Sequence, residues 1–169
     1  CGLTLRRGGR LVRRLEGDLL ITHRGFSGPV ILDASRGLEA SDELVPDFSG
    51  LGDAVEERVI AWCSAHGKRG LSSLFRLFAA PQELCRTLLA AANLPQSITL
   101  AELSRQQRKT LIDSFCHTEY RIARLGGFAR ARVTAGGVSR EEIDPKTMQS
   151  RIRPGLFFAG EIMDMDGDG

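Results

Sequence analysis

The sequence predicts an α+β fold: a small β-barrel or curled antiparallel sheet with an all-helical insertion, then a segment returning into an open α/β sheet. Three observations predict it. Apolar residues alternate at period two in Cys1 to Leu5 and again from Glu119 onwards, the pattern of half-buried strands. Between about residues 51 and 117 the apolar period becomes that of an amphipathic helix. Beyond Thr134 come a glycine pair, Gly136-Gly137, and a short apolar run, Leu156-Phe157-Phe158-Ala159, that stops at Gly160. A run of that kind bounded by turn residues reads as a buried strand. The expected organisation is residues 1–50 as the first part of the barrel, 51–117 as the helical insert, 118–133 as closing strands and 134–169 as the return segment.

Taken in order, Cys1, Leu3 and Leu5 alternate with Gly2, Thr4 and Arg6 to make the first strand. Gly8-Gly9 suits a two-residue hairpin turn, and Leu11 to Leu15 is a weakly patterned second strand. Glu16-Gly17-Asp18 turns the chain into Leu19 to Thr22, the third and most apolar strand. Ser27 is the expected N-cap of a short helix over Pro29 to Ser35, with Pro29 in its first turn where a missing N–H is harmless. The free amides of that helix start would favour an anion beside His23. Glu43 to Phe48 is a further strand.

The helical stretch carries Val55, Val59, Ile60 and Trp62/Cys63 at helical spacing, then the stripe Leu71, Leu74, Phe75 and Phe78. Pro81 starts another helix with Leu84, Leu88, Leu89 and Ala92 inward, and Asn93 and Pro95 stop it. Thr99 to Glu102 and Ser104 to Gln107 both fit the capping box, the second opening a helix with Leu111, Ile112 and Phe115 on its apolar face. Tyr120 and Ile122 restore the strand period, Gly126-Gly127 turns, and Phe128 to Thr134 alternates once more. Asp144-Pro145 marks a turn in the polar segment that follows.

A net charge of +2 says little about partners, but its distribution says more. Arg6, Arg7, Arg10, Arg13 and Arg14 crowd the start, and Arg121, Arg124, Arg130 and Arg132 recur later. Such clustering fits either a phosphate- or nucleic-acid-facing surface or ordinary solvated strand faces. Cys1, Cys63, Cys85 and Cys116 show no metal-ligand spacing, so no metal site is expected. Scattered single cysteines suit buried thiols in a reducing cytoplasm. No apolar run reaches the length of a membrane span, and no signal peptide is visible.

Two stretches carry a family resemblance. VTAGGVSREEIDPKTMQSRIRPGLFFAGEIMDMDGDG, from Val133 to Gly169, resembles the carboxyl-terminal signature of the bacterial BaiN-like (YhiN-type) flavoproteins, NAD(P)/FAD-dependent oxidoreductases. GDLLITHRGFSGPVIL, from Gly17 to Leu32, resembles the stretch LLFTHxGxSGP of the same family. The two lie in the family's order and at roughly its spacing. The resemblance implies that the return segment belongs to an FAD-binding fold and that the inserted part is a β-barrel with a helical piece. It also implies the function: the insert and carboxyl-terminal portion of an FAD-dependent oxidoreductase, capping the flavin and shaping the substrate pocket for hydride transfer. FAD would be held in the full-length parent, with NAD(P)H as electron donor. The glycine-rich GxGxxG turn that opens family members does not occur here. The chain is therefore expected to be a fragment, inactive by itself and without tightly bound FAD, because that turn grips the pyrophosphate.

The resemblance places cofactor contacts at Thr134, Gly136, Gly137, Gly160, Glu161, Asp166 and Gly167. Gly136-Gly137 would press backbone against the flavin ring or ribityl chain; read from the residues alone, the pair is a tight turn. In many two-dinucleotide-fold flavoproteins an aspartate after the glycine holds the ribitol hydroxyls. Glu161 is one methylene longer, and its other reading is a solvated loop carboxylate. Asp164 to Gly169 imitates the start of a calcium loop, but no helix precedes it and calcium binding is not expected. His23, at a strand end beside a helix start, is the candidate catalytic residue, as proton donor or as orienter of a carbonyl substrate; its other reading is structural. The expected substrate is a small molecule or a nucleobase, with nucleic acid a potential partner and no membrane. The alternative class is a non-catalytic basic module that binds RNA or a protein.

Overall fold

The first strand organises everything around it. β1 (Gly2–Arg7) turns Leu3 and Leu5 inward, each 1% exposed, and its alternate residues to the other face. Gly8 and Gly9 take positive φ of 55° and 75° and reverse the chain tightly into β2 (Arg10–Glu16). β5 (Glu43–Asp47) lies along the other side of β1, and the two-residue β6 (Tyr120–Arg121) follows it, giving the antiparallel order β2-β1-β5-β6. α1 (Pro29–Ser35) lays Val30 and Ala34 on Leu3, Leu5 and Leu44, which closes the small core of this sheet. These statements, and those below, cover the residues that the computed structural model describes: 1–78, 80–95, 97–131 and 135–165, with the backbone alone at Phe128. The chain divides into two units, Cys1–Arg124 and Leu125–Gly169.

The architecture is α+β with antiparallel sheets, and among the described residues no barrel closes. The expected third strand does not join the sheet. β3 (Leu20–Thr22) instead pairs with β4 (Gly25–Ser27) in a separate two-stranded ribbon, leaving Leu20 and Ile21 57% and 48% exposed. The reason lies in the preceding turn. The Gly17 amide donates to the Cys1 carbonyl at 3.1 Å, and the Asp18 carbonyl accepts from the Val30 amide at 3.3 Å. The turn is thereby tied to α1 and does not carry the chain back along β2. Ser27 is the last residue of β4, not the helix cap; Gly28 takes the cap position and no side chain caps the helix.

The helical stretch builds the larger core. α2 (Val55–Ala65), a 3-10 segment Leu71–Arg76, α3 (Gln82–Ala91), a 3-10 turn Leu100–Glu102 and α4 (Arg105–Cys116) bury Val59, Leu74, Cys85, Leu100, Leu111 and Phe115 together. Each fully buried Leu or Phe contributes about 1.5–3 kcal/mol over its exposed state. Both capping boxes form. The Glu102 carboxylate accepts from the Thr99 amide and hydroxyl at 2.8 and 2.7 Å. Ser104 and Gln107 exchange side chain for backbone, at 3.2 and 2.9 Å. Asn93 ends α3 with φ 50°, a left-handed conformation that asparagine tolerates. Among the described residues of this stretch the one ladder contact is an isolated bridge, Gly70↔Thr99. Ile60 departs from its expected place and is 45% exposed. No described helix is long and apolar enough to cross a membrane.

In the second unit two expected strands do not form among the described residues. Phe128–Arg130 is a 3-10 turn, because Gly127 at φ 67° starts a tight turn that the Arg130 amide closes onto the Gly127 carbonyl at 3.1 Å. The rest of that expected strand, residues 132–134, lies outside the described residues. Leu156 to Ala159 is not a buried strand: Leu156 and Phe157 are 42% and 60% exposed, and a single bridge, Gln149↔Phe157, is its ladder contact among the described residues. An apolar run becomes a buried strand only when ladders hold its edges and other layers cover its faces; within this unit neither condition is met. The turn at Asp144 forms as expected, with the Asp144 carboxylate accepting from the Lys146 amide at 2.8 Å and Ile143 bridging Ser150.

Candidate functional site

Both glycine features singled out in the sequence lie in the second unit, on neighbouring segments. The Val138 amide donates to the Ile162 carbonyl at 2.9 Å, and the Asp164 amide to the Val138 carbonyl at 3.0 Å, forming a parallel bridge between Val138 and Met163. Gly136-Gly137 therefore enters this bridge on one segment while Gly160-Glu161 enters it on the other. The three glycines differ in role. Gly137, at φ 147°, has no room for a side chain: a Cβ there would stand 2.5 Å from the Ile162 carbonyl oxygen. Its smallness serves the backbone contact itself. Gly136 at φ 99° and Gly160 at φ 76° would meet nothing within 4 Å. Their positive φ bares backbone on an open side, where a flat ligand can approach closely.

Glu161 sits in the 3-10 turn Gly160–Ile162 and is exposed, so its carboxylate is free to accept hydroxyl hydrogen bonds. Ser139 caps the next turn by accepting from the Glu141 amide at 3.3 Å. Gly136 and Gly160 thus leave open backbone, and Glu161 an exposed carboxylate, on the two segments that the bridge joins. Thr134, Asp166 and Gly167 lie outside the described residues, as does most of the Asp164 to Asp168 run.

His23 belongs to the first unit. It occupies the exposed turn between β3 and β4, where the Thr22 hydroxyl donates to the Gly25 carbonyl at 2.8 Å. Arg24 Nε donates to His23 Nε2 at 3.0 Å, a contact that requires the neutral ring with its proton on Nδ1. The expected anion spot at the start of α1 is partly filled from within, since the Val30 amide already serves the Asp18 carbonyl.

Two polar clusters carried no mark in the sequence reading. Asp42 is buried at 1% exposure and accepts from Arg7 through both oxygens, at 2.8 and 3.0 Å, and from the Glu39 amide at 2.8 Å. The Arg7 hydrogen bond holds its carboxyl below the ordinary range, against the opposing effect of burial. Asp47 accepts from the Ser49 amide and hydroxyl and from the Gly52 amide. Burial works against its ionisation, but those bonds and the Cys116 thiol outweigh it and keep the carboxyl low. Beside it, burial pushes the Cys116 thiol up to about 12. Asp47-x-Ser49 is a local turn pattern readable in sequence; the pairing of Asp42 with Arg7, 35 residues away, is not.

Comparison with known proteins adds the family. Residues 4–133 match the model of the HI0933-like protein barrel and H2TH domain. A protein named ribosomal RNA dihydrouridine synthase from Escherichia coli K12 is 33% identical over 156 residues, covering 89% of this chain and 37% of the relative. Its Haemophilus influenzae namesake gives 33% over 155 residues with the same coverage. The 3-dehydro-bile acid delta(4,6)-reductase of Clostridium scindens is 28% identical over 167 residues, 95% of this chain and 41% of the relative. The chain thus spans 37–41% of the length of these curated relatives.

Proposed function

The chain belongs to the HI0933-like family, the BaiN-like flavoproteins, and on that premise we propose that it is the insert and carboxyl-terminal part of an FAD-dependent oxidoreductase that reduces a carbon–carbon double bond. The observation that carries this reading is the Val138–Met163 bridge, which sets the open glycines 136 and 160 and the Glu161 carboxylate on neighbouring segments. Gly136 and Gly160 would hold FAD against bare backbone, and Glu161 would accept hydrogen bonds from its ribityl hydroxyls. Thr134, Asp166 and Gly167, which lie outside the described residues, would be further contacts. When bound and reduced by NAD(P)H, FAD supplies a hydride to one carbon of the double bond; the other carbon takes a proton. His23, on the exposed turn between β3 and β4, would be the proton donor of this chain: as the imidazolium it gives one proton to that carbon, returns to the neutral ring that accepts from Arg24, and regains its proton from solvent. In the full-length parent the inserted domain would cap the flavin and shape the substrate pocket.

The names of the relatives support a substrate class. The two relatives at 33% identity are named for dihydrouridine synthesis in ribosomal RNA, and the third is named as a reductase of a 3-dehydro-bile acid. We therefore read the substrate as a pyrimidine nucleobase in RNA. The test is the full-length protein with NAD(P)H and two substrates, an unmodified ribosomal RNA transcript and an unsaturated steroid ketone. Transcript that gains two hydrogens, with the steroid untouched, supports the reading; reduction of the steroid alone overturns the nucleobase assignment. His23→Ala should slow turnover more than it weakens FAD retention, and unchanged turnover would return His23 to a structural role.

A further inference from the structure

We infer that the edge formed by β2 and the β1–β2 turn is the surface that grips the RNA phosphate backbone. The inference rests on the reading of an RNA nucleobase as substrate. Residues 6–14, RRGGRLVRR, hold five arginines and no acid. They divide by role. Arg6 pairs with Glu119 at 2.7 Å, and Arg7 with Asp42 and Glu39 at 2.8 and 2.6 Å, so both are committed within the fold. Arg10 and Arg14 are exposed and have no hydrogen-bond or ion-pair partner among the described residues, while Arg13 reaches a single backbone carbonyl, that of Asp33, at 3.5 Å.

The register shows how these three charges are displayed. Arg7 pairs with Arg10 and Arg6 with Leu11, but Leu5 pairs with Arg13, so Val12 is an extra residue in β2. Residues three apart on a regular strand point to opposite faces. The bulge at Val12 instead puts Arg10 and Arg13 on the face of Arg7 and Leu5, while Arg14 shares the face of Thr4. Guanidinium groups thus flank the free edge on both sides. Charge alone would serve to keep an edge strand from pairing with another chain, a role in which lysine is common. This chain uses arginine: three of its 23 basic residues, Lys68, Lys109 and Lys146, are lysines. The planar guanidinium binds phosphate through two parallel hydrogen bonds, and a polyanion with regularly spaced phosphates meets several of them at once.

The test is binding of the 169-residue chain to a short fluorescent RNA hairpin across a salt series. Arg10→Gln/Arg13→Gln/Arg14→Gln is compared with a charge-matched control, Arg58→Gln/Arg69→Gln/Arg76→Gln, on the helical part. Each phosphate contact contributes about 0.7–0.9 to the slope of log affinity against log salt. The hairpin variant should lose about 2–3 of that slope with the control unchanged, and the single variants Arg10→Gln and Arg14→Gln about one each. Melting temperature, followed in parallel, should hold in every variant because Arg6 and Arg7 keep their ion pairs. RNA bound with the same slope by the hairpin variant, or an equal loss in the control, overturns the inference and leaves the substrate reading standing. An unaltered chain that shows no salt-dependent RNA binding overturns the RNA reading of this domain as well.

Discussion

Gly137→Ala is the substitution that the geometry prices most directly. Its Cβ would stand 2.5 Å from the Ile162 carbonyl oxygen, 2.9 Å from the Asp164 nitrogen and 2.9 Å from the Met163 carbonyl carbon. All three neighbours are backbone, so nothing flexible can give way. A φ of 147° is also a conformation open to glycine almost alone, and holding another residue there costs about 1–3 kcal/mol. If the segments part instead, the two hydrogen bonds of Val138, to Ile162 and from Asp164, are lost at about 1 kcal/mol each. Keeping the bridge costs the strain plus a backbone clash that nothing can relieve, so opening it, at about 2 kcal/mol, is the cheaper outcome. Hydrogen exchange read at the Val138 and Asp164 amides should show their protection abolished. Gly136→Ala is the control: it meets nothing within 4 Å and bears only the conformational strain of φ 99°, so the bridge amides should stay protected. Protection at Val138 and Asp164 that survives Gly137→Ala would refute the reasoning.

Other consequences follow from the first unit. Asp42→Asn should lower the melting temperature by several degrees at neutral pH. The folded carboxyl titrates below its unfolded value of about 4, so the stability it contributes is present above that pH and is lost as pH falls through the lower folded value. The gap between wild type and variant should therefore close in acid and stay constant from about pH 5 upward. Ser104→Ala removes a formed capping box and should cost about 1 kcal/mol, read as a shift in urea midpoint at constant slope. Iodoacetamide at mildly alkaline pH should label the exposed Cys1 and spare Cys63, Cys85 and Cys116, which are buried and whose thiols burial raises; mass spectrometry of the native chain should find one adduct, and four after unfolding.

What the sequence displayed was what short-range physics controls. The β1 alternation, the Gly8-Gly9 reversal, the span of α1, both capping boxes and the apolar stripe of α4 depend on residues a few positions apart, and each appears where its pattern stands. The misses share a cause. Leu19 to Thr22 has strand composition, but its partner was set by the Gly17–Cys1 and Asp18–Val30 hydrogen bonds, which no local pattern encodes. Leu156 to Ala159 is apolar enough for a buried strand, yet burial depends on what covers it. The candidate site was legible as two glycine features; that Val138 and Met163 join them was not, because a parallel bridge between distant segments leaves no mark on either. Gly137 and Gly136 look alike in sequence, and only the neighbouring backbone separates a packing glycine from an open one.

The central claim is that this chain serves a flavin enzyme, and the most direct measurement is the visible absorption spectrum of the purified full-length protein carrying it. The two flavin bands should be present, should bleach on addition of NAD(P)H without oxygen, and should return when unmodified ribosomal RNA, the proposed substrate, is added. A full-length protein that is colourless as purified and gains no flavin bands on incubation with FAD would contradict the account.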